Sequence, residues 1–200
     1  MLDTSTPPST YIYEKEKCVM QVYRTYAKEI IDEFRPIAAS FCNKPKGGLW
    51  GCRDTEWYDW CIAEKFSDVS TYFEWHLKEG SKVYYIENEN DFIYLLNTYP
   101  HFMMGIIDSI DYMKMWSDGY DAVEIMPEAN NRLHMGMSTM DGNLRPKNVT
   151  TARLINDKRY STAMLMGLNV WDVPSICVFD PKKSVVVVSE LLEQEPHVSD

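Results

Sequence analysis

Positive charge is what this chain is shortest of. Its 200 residues carry 20 Lys and Arg against 30 Asp and Glu, a formal charge of −10. That excess argues against a protein that binds nucleic acid over its whole surface, while it suits an acidic inhibitor that imitates one. Long apolar runs are missing too. None approaches the length of a membrane span, and the N-terminal "MLDTSTPPSTYIYEKEK" has no hydrophobic signal core. Cysteine is sparse: Cys18, Cys42, Cys52, Cys61 and Cys177 are odd in number and widely spaced. They read as reduced thiols of a cytoplasmic protein, and Asn148-Val149-Thr150 as a chance sequon.

Several chemistries have no foothold in the sequence. Neither G-x-x-x-x-G-K-[ST] nor G-x-G-x-x-G occurs, so both nucleotide-binding fingerprints are absent. There is no C-x-x-C pair, and His76, His101, His134 and His197 lie far apart, so no metal site is expected. No G-x-S-x-G marks a hydrolase elbow. Cys42, Cys52 and Cys61 have no histidine near in sequence to activate a thiol, and read as small buried hydrophobes.

What is present is enough for a core: 45% hydrophobic residues, 13% aromatic. Residues 1–10 read as a loose arm, 11–188 as one domain and 189–200 as a frayed acidic tail. "KCVMQVYRTY" suits a strand, and "AKEIIDEF" a short helix ending before Pro36. In "DTEWYDWCIAEKF", Trp57, Trp60, Cys61 and Glu64 recur at helical spacing behind Asp54 or Thr55 as a cap. "TYFEWHL" and "KVYYIE" read as two strands of a hairpin turning at "KEGS". "NDFIYLLNTYP", begun by Asn90 and stopped by Pro100, and "DSIDYMKMW" read as helices. "YDAVEIM", "SICVFDP" and "SVVVV" read as strands. Short helices among strands that do not strictly alternate with them imply an α+β fold.

Residues 129–169 stand apart. They hold Arg132, Arg145, Lys147, Arg153, Lys158 and Arg159 against Asp141 and Asp157, a net +4 that leaves −14 for the remainder. The segment is either a solvated insertion or a docking surface for an anionic partner.

The densest cluster of candidates is "KPKGGLWGCRDTEWYDWCIAEKF", residues 44–66. Without a β-carbon at Gly47 and Gly48, a flat ligand can approach the backbone there, and Trp50 offers a face for stacking. Equally, two glycines make a turn and tryptophans fill a core. Arg24, in an otherwise apolar strand, needs an anionic partner or an exposed face. It holds a phosphate if strand parity points it into a cleft, and is a surface charge otherwise.

In order, "KPKGGLW" (44–50), "WYDWC" (57–61), "YDA" (120–122) and "WDVPSICVFDP" (171–181) resemble a set of small phage and bacterial proteins. The layout is similar, more distantly, to the mono-ADP-ribosyltransferase superfamily. That resemblance implies a split, twisted α+β sheet clasping NAD as substrate. Arg24 would bind phosphate, and Gly47, Gly48 and Trp50 would cradle the nicotinamide. Ser175 would stand in the binding site where the family carries Glu. Asp172 or Glu124 would stabilise the oxocarbenium-like cation. The basic insertion would meet a host macromolecule, protein or nucleic acid. The rival expectation is a non-enzymatic acidic protein that inhibits a host defence or nucleic-acid-handling protein.

Overall fold

The computed structural model describes residues 20–27, 35–38, 44–65, 69–134, 137–140, 143–146, 157–160 and 171–194. In chain order the elements are β1 (Val22–Tyr26), β2 (Leu49–Gly51), α1 (Glu56–Glu64), β3 (Thr71–Leu77), β4 (Val83–Ile86) and α2 (Glu89–Thr98). There follow β5 (Pro100–Met103), β6 (Ile106–Ile110), α3 (Tyr112–Ser117), β7 (Ala122–Ile125), α4 (Pro127–His134), β8 (Met137–Met140) and β9 (Asn143–Pro146). The chain closes with β10 (Ser175–Val178), α5 (Pro181–Ser184), β11 (Val185–Val187) and β12 (Leu192–Glu193). Short helices and several sheets make this an α+β protein.

Two four-stranded sheets carry the architecture. In the first, β3 pairs antiparallel with β1 along one edge and with β11 and β12 along the other. The second runs β2-β10-β7-β4, antiparallel except for the parallel β7–β4 pair. They meet at one seam, where Arg24 N donates to Cys52 O (2.8 Å) and Cys52 N to Arg24 O (3.0 Å).

Period-two alternation explains how the layers pack. Tyr23, Phe73 and Trp75 of the first sheet interlock with Leu49, Ala122, Ile176 and Val178 of the second. On the second sheet's other face, Tyr84, Ile86, Val123, Ile125 and Cys177 pack against Phe92, Leu95 and Leu96 of α2, Met115 of α3 and Ala129 of α4. Sheet two is therefore covered on both sides. Strands β7 and β10 are buried at every residue, which is why "AVEI" and "SICV" lack the polar-out alternation of a half-exposed strand. Each large apolar side chain so removed from water contributes roughly 1.5–3 kcal/mol.

Several expectations are corrected. "TYFEWHL" and "KVYYIE" are strands but no hairpin: β3 already has partners on both edges, and β4 joins the other sheet. The connecting residues are tied to separate places, Lys78 N to Ser184 O and Lys82 N to Asp121 Oδ2. Helix α2 is capped by Asn88 rather than Asn90, through a reciprocal box with Asp91. "DSIDYMKMW" is part strand, part helix. Its first three residues belong to β6, which pairs with β5 across a Met104-Gly105 turn with both φ positive, and Asp111 caps α3. The tail is partly ordered: Leu192–Glu193 joins β3, and Gln194 N donates to Ser70 O (2.7 Å).

The expected insertion begins inside the core, since Ala129 and Asn130 are buried and Asn130 Nδ2 donates to Trp171 O. Further on, β8 and β9 form a hairpin, and Tyr160 bridges Ile107 of β6. The arm at 1–10, all but Ala27 of the helix expected at 27–34, most of 147–169 and residues 195–200 lie outside the described residues.

Candidate functional site

Strand parity settles Arg24. Its cross-strand partner is Glu74, so it faces away from the inter-sheet core that holds its neighbour Tyr23. Arg24 Nε donates to Glu74 Oε1 (3.2 Å), and the guanidinium lies 4.8 Å over the Tyr72 ring. Burial opposes its charge, but the hydrogen bond to Glu74, together with the electrostatic pull of Tyr72, Glu74 and Tyr26, outweighs that and raises its pKa.

A cavity of about 110 Å³ opens where β1 and β2 diverge. It is lined by Arg24, Thr25, Tyr26, Trp50, Gly51, Cys52, Trp57 and Ser175. The seam is stitched by side chains: Thr25 Oγ1 donates to Trp50 O (2.6 Å) and accepts from Trp75 Nε1 (2.8 Å). Burial pushes the Cys52 thiol up to about 11, and its Sγ donates to Asp54 O. It therefore stays protonated, a wall rather than a nucleophile. Burial also raises the Tyr26 phenol, which donates to Gln194 Oε1. Ser175 Oγ donates to Val173 O (3.1 Å).

Trp50 is half-buried and held from two sides. Its Nε1 donates to Gly47 O (2.9 Å), and Trp171 meets it at 5.1 Å between centroids. Trp57, on the first turn of α1, rests against Trp60 at 5.6 Å. Lys44 spans both indoles, with Nζ 4.9 Å from the Trp50 centroid and 5.7 Å from that of Trp57. The same Nζ reaches Asp172 Oδ2 at 3.7 Å. Asp172 thus stands beside the aromatic wall although it does not line the cavity.

The two glycines do not line it either. Both have positive φ, +79° at Gly47 and +71° at Gly48. A β-carbon on Gly48 would sit 2.5 Å from Val178 O, and one on Gly47 2.9 Å from Pro36 O. Gly48 N already donates to Arg35 O (3.2 Å). Their role is a tight, left-handed approach that seats Trp50, not contact with a ligand.

Glu124 is committed elsewhere. It lies on the inter-sheet face of β7, paired in register with Ile176 and Tyr85. Arg53 grips it twice, Nε to Oε1 at 2.6 Å and Nη2 to Oε2 at 3.0 Å, and Tyr23 OH donates to Oε2 at 3.0 Å. The hydrogen bond to Glu124 raises the Arg53 pKa, while burial, then Glu124, raises that of Tyr23.

No family model, curated protein or solved structure matches this chain.

Of the expected site residues, Arg24, Trp50 and Ser175 therefore share one cavity. Asp172 is linked to the Trp50 wall through Lys44, Gly47 and Gly48 form the left-handed turn that precedes Trp50, and Glu124 belongs to a separate cluster. Sequence reasoning passed over Lys44 and Arg53 entirely. The signal for Lys44 was its place three residues ahead of the glycine pair; Arg53 had none. Trp57 was read only as part of a helical stripe. Chemically, the arrangement offers two indole walls for a flat or cationic group and a nearby carboxylate. Among the described residues no three His, Cys, Asp or Glu side chains gather as metal ligands, and no helix is long and apolar enough to cross a membrane.

Proposed function

We propose that the cavity between β1 and β2 takes a flat heteroaromatic ring, the nicotinamide end of NAD. On this reading the protein is ADP-ribosyltransferase-like and uses NAD to modify a host macromolecule. The observation that carries it is convergence: Arg24, Trp50 and Ser175 come from three strands distant in sequence and line one cavity. Its volume of about 110 Å³ is on the scale of the roughly 150 Å³ apolar cavity that admits benzene. It is well short of the roughly 300 Å³ at which drug-sized sites begin. One ring fits inside, and the remainder of a dinucleotide would lie along the surface by Arg24.

Breaking the nicotinamide–ribose bond leaves positive charge on the ribose, which a nearby carboxylate stabilises. Asp172 is the better placed of the two candidates, being linked to both indoles through Lys44. The basic stretch at 129–169 would contact the acceptor. Incubation with NAD, with and without host lysate, tests the reading by nicotinamide release. Asp172→Asn should abolish release while leaving NAD bound. Absence of both release and labelled product with the unsubstituted protein would remove the enzyme reading.

A second reading, a non-enzymatic acidic interaction protein, draws on one observation. No carboxylate lines the cavity among the described residues, and Glu124 is spent on Arg53 and Tyr23. NAD that binds through Trp50 without turnover, or does not bind at all, would favour it.

A further inference from the structure

The hairpin of β5 and β6 ends in an apolar knob that stands clear of the core. Phe102, Met103, Met104 and Ile106 are 57%, 52%, 98% and 39% exposed, while the next four residues of β6, Ile107–Ile110, are buried. From Phe102 to Ile107 the sequence FMMGII carries no polar side chain. Met104 turns the chain at φ +53°, ahead of Gly105 at +81°. A two-residue hairpin turn with both φ positive favours Asn-Gly, and a methionine there is strained. At 98% exposure the side chain contributes almost no packing to offset that strain. At the base of the knob, Ile107 N donates to Arg159 O (2.8 Å), which sets Lys158 and Arg159 beside it. Arg159 is paired with Asp157 (2.6 Å), whereas Lys158 is exposed and in no ion pair among the described residues.

We propose that this hairpin tip seats the protein on a phospholipid bilayer, with Phe102, Met103, Met104 and Ile106 at the boundary of headgroups and acyl chains and Lys158 among the phosphates. The dimensions agree. Two residues carry the chain from Ile107 back to the turn, about 7 Å at ~3.4 Å per residue, within the roughly 5–10 Å to which interfacial segments sink. That layer is poor in water, so backbone polar groups entering it need partners. The ladder pairs Phe102 with Ile107 and Met103 with Ile106, leaving ladder partners missing only in the two-residue turn. A protein partner suits the knob less well. Protein interfaces carry roughly one hydrogen bond per 100–200 Å², and the tip has no side chain to make one. A second copy suits it least. Standard interfaces take roughly 20–30 residues a side, far more than this knob offers, and chains of charge −10 repel each other. The knob shares no residue with the cavity, so the proposal stands or falls apart from the NAD reading.

The test floats the full chain with phosphatidylcholine vesicles through a density gradient. The parent should rise with the lipid at about 0.15 M and about 1 M sodium chloride alike, because burial of apolar surface is not screened by salt. Met104→Asn supplies a residue the turn favours and removes the thioether, so it should melt no lower than the parent yet float less. Phe102→Ser/Met104→Asn should lower the partition coefficient at least about tenfold. Three results would overturn the proposal. One is a parent that stays at the bottom of the gradient. Another is a folded double variant whose partition coefficient lies within about twofold of the parent's. The third is a dimer seen by light scattering without vesicles that the double variant dissociates, which would give the knob to a second copy.

Discussion

Arg53→Met is the sharpest probe of the molecule's electrostatics. The substitution leaves the Glu124 carboxylate, 3% exposed, with one hydrogen-bond donor, Tyr23 OH, in place of three. Breaking a buried pair on one side costs roughly 3–5 kcal/mol, because the surviving charge has neither water nor partner. Arg53 itself is 31% exposed, so solvent screening favours the lower end. At roughly 2–4 °C per kcal/mol for a chain of this size, the melting temperature should fall by about 6–12 °C for a 3 kcal/mol loss. Urea unfolding followed by circular dichroism measures the free energy directly. The double variant Arg53→Met/Glu124→Leu removes both charges, and should recover most of the loss. A single-variant cost below about 1 kcal/mol would mean an ordinary surface ion pair. A double variant no better than the single would show that packing, not charge, holds the site together. Either result refutes the clamp.

Three smaller expectations follow from the same coordinates. Gly48→Ala forces a β-carbon to within 2.5 Å of Val178 O at φ +71°, so chemical denaturation should show a loss of at least ~2 kcal/mol. Asp121 is buried, which works against its charge. Even so, hydrogen bonds from Lys82 N, Ser184 Oγ and Lys183 Nζ hold its pKa below the usual carboxylate value. A lowered folded-state pKa gives stability that is present above the unfolded value of about 3.9 and lost as pH falls through the folded one; Asp121→Asn should flatten that acid limb in a pH series of melts. Cys52, with its thiol near 11, has roughly a thousandth of its population as thiolate at pH 8, so peptide mapping should find it alkylated only after unfolding.

The sequence showed the strands more readily than their partners. "AVEI", "SICV" and "TYFEWHL" read as strands because their composition is local information. Which edge each would find is not local, and "KEGS" looked like a hairpin turn because its glycine permits one. The competing pull came from Ser184, about a hundred residues further on, and Asp121, about forty. Site residues divide in the same way. Trp50 was visible because a glycine pair announces a tight approach, and the backbone does take it. That the glycines pack against Val178 and Pro36 rather than a ligand depends on β10 and on residues 35–38, which no spacing rule encodes.

The parity of one strand pair decides which carboxylate remains open to chemistry. In the β10–β7 ladder Ser175 faces the same side as Ile125, and Ile176 the same side as Glu124. Side chains alternate at every residue, so no version of this register puts Ser175 and Glu124 on one face. A one-residue slip would do so, but it would carry Ile176 and Val178 out of the inter-sheet core and strand Arg53 without its partner. The fold thus fixes Glu124 as a structural anion for as long as the two sheets remain packed. Asp172 lies three residues before β10, outside the ladder, and parity does not bind it. Its link to the indoles runs through Lys44, whose Nζ lies against both rings. On the proposed reading Asp172 is the carboxylate that stabilises the ribose cation, so exchanging it for Asn should abolish nicotinamide release while leaving NAD bound and the unfolding free energy within about 1 kcal/mol of the parent.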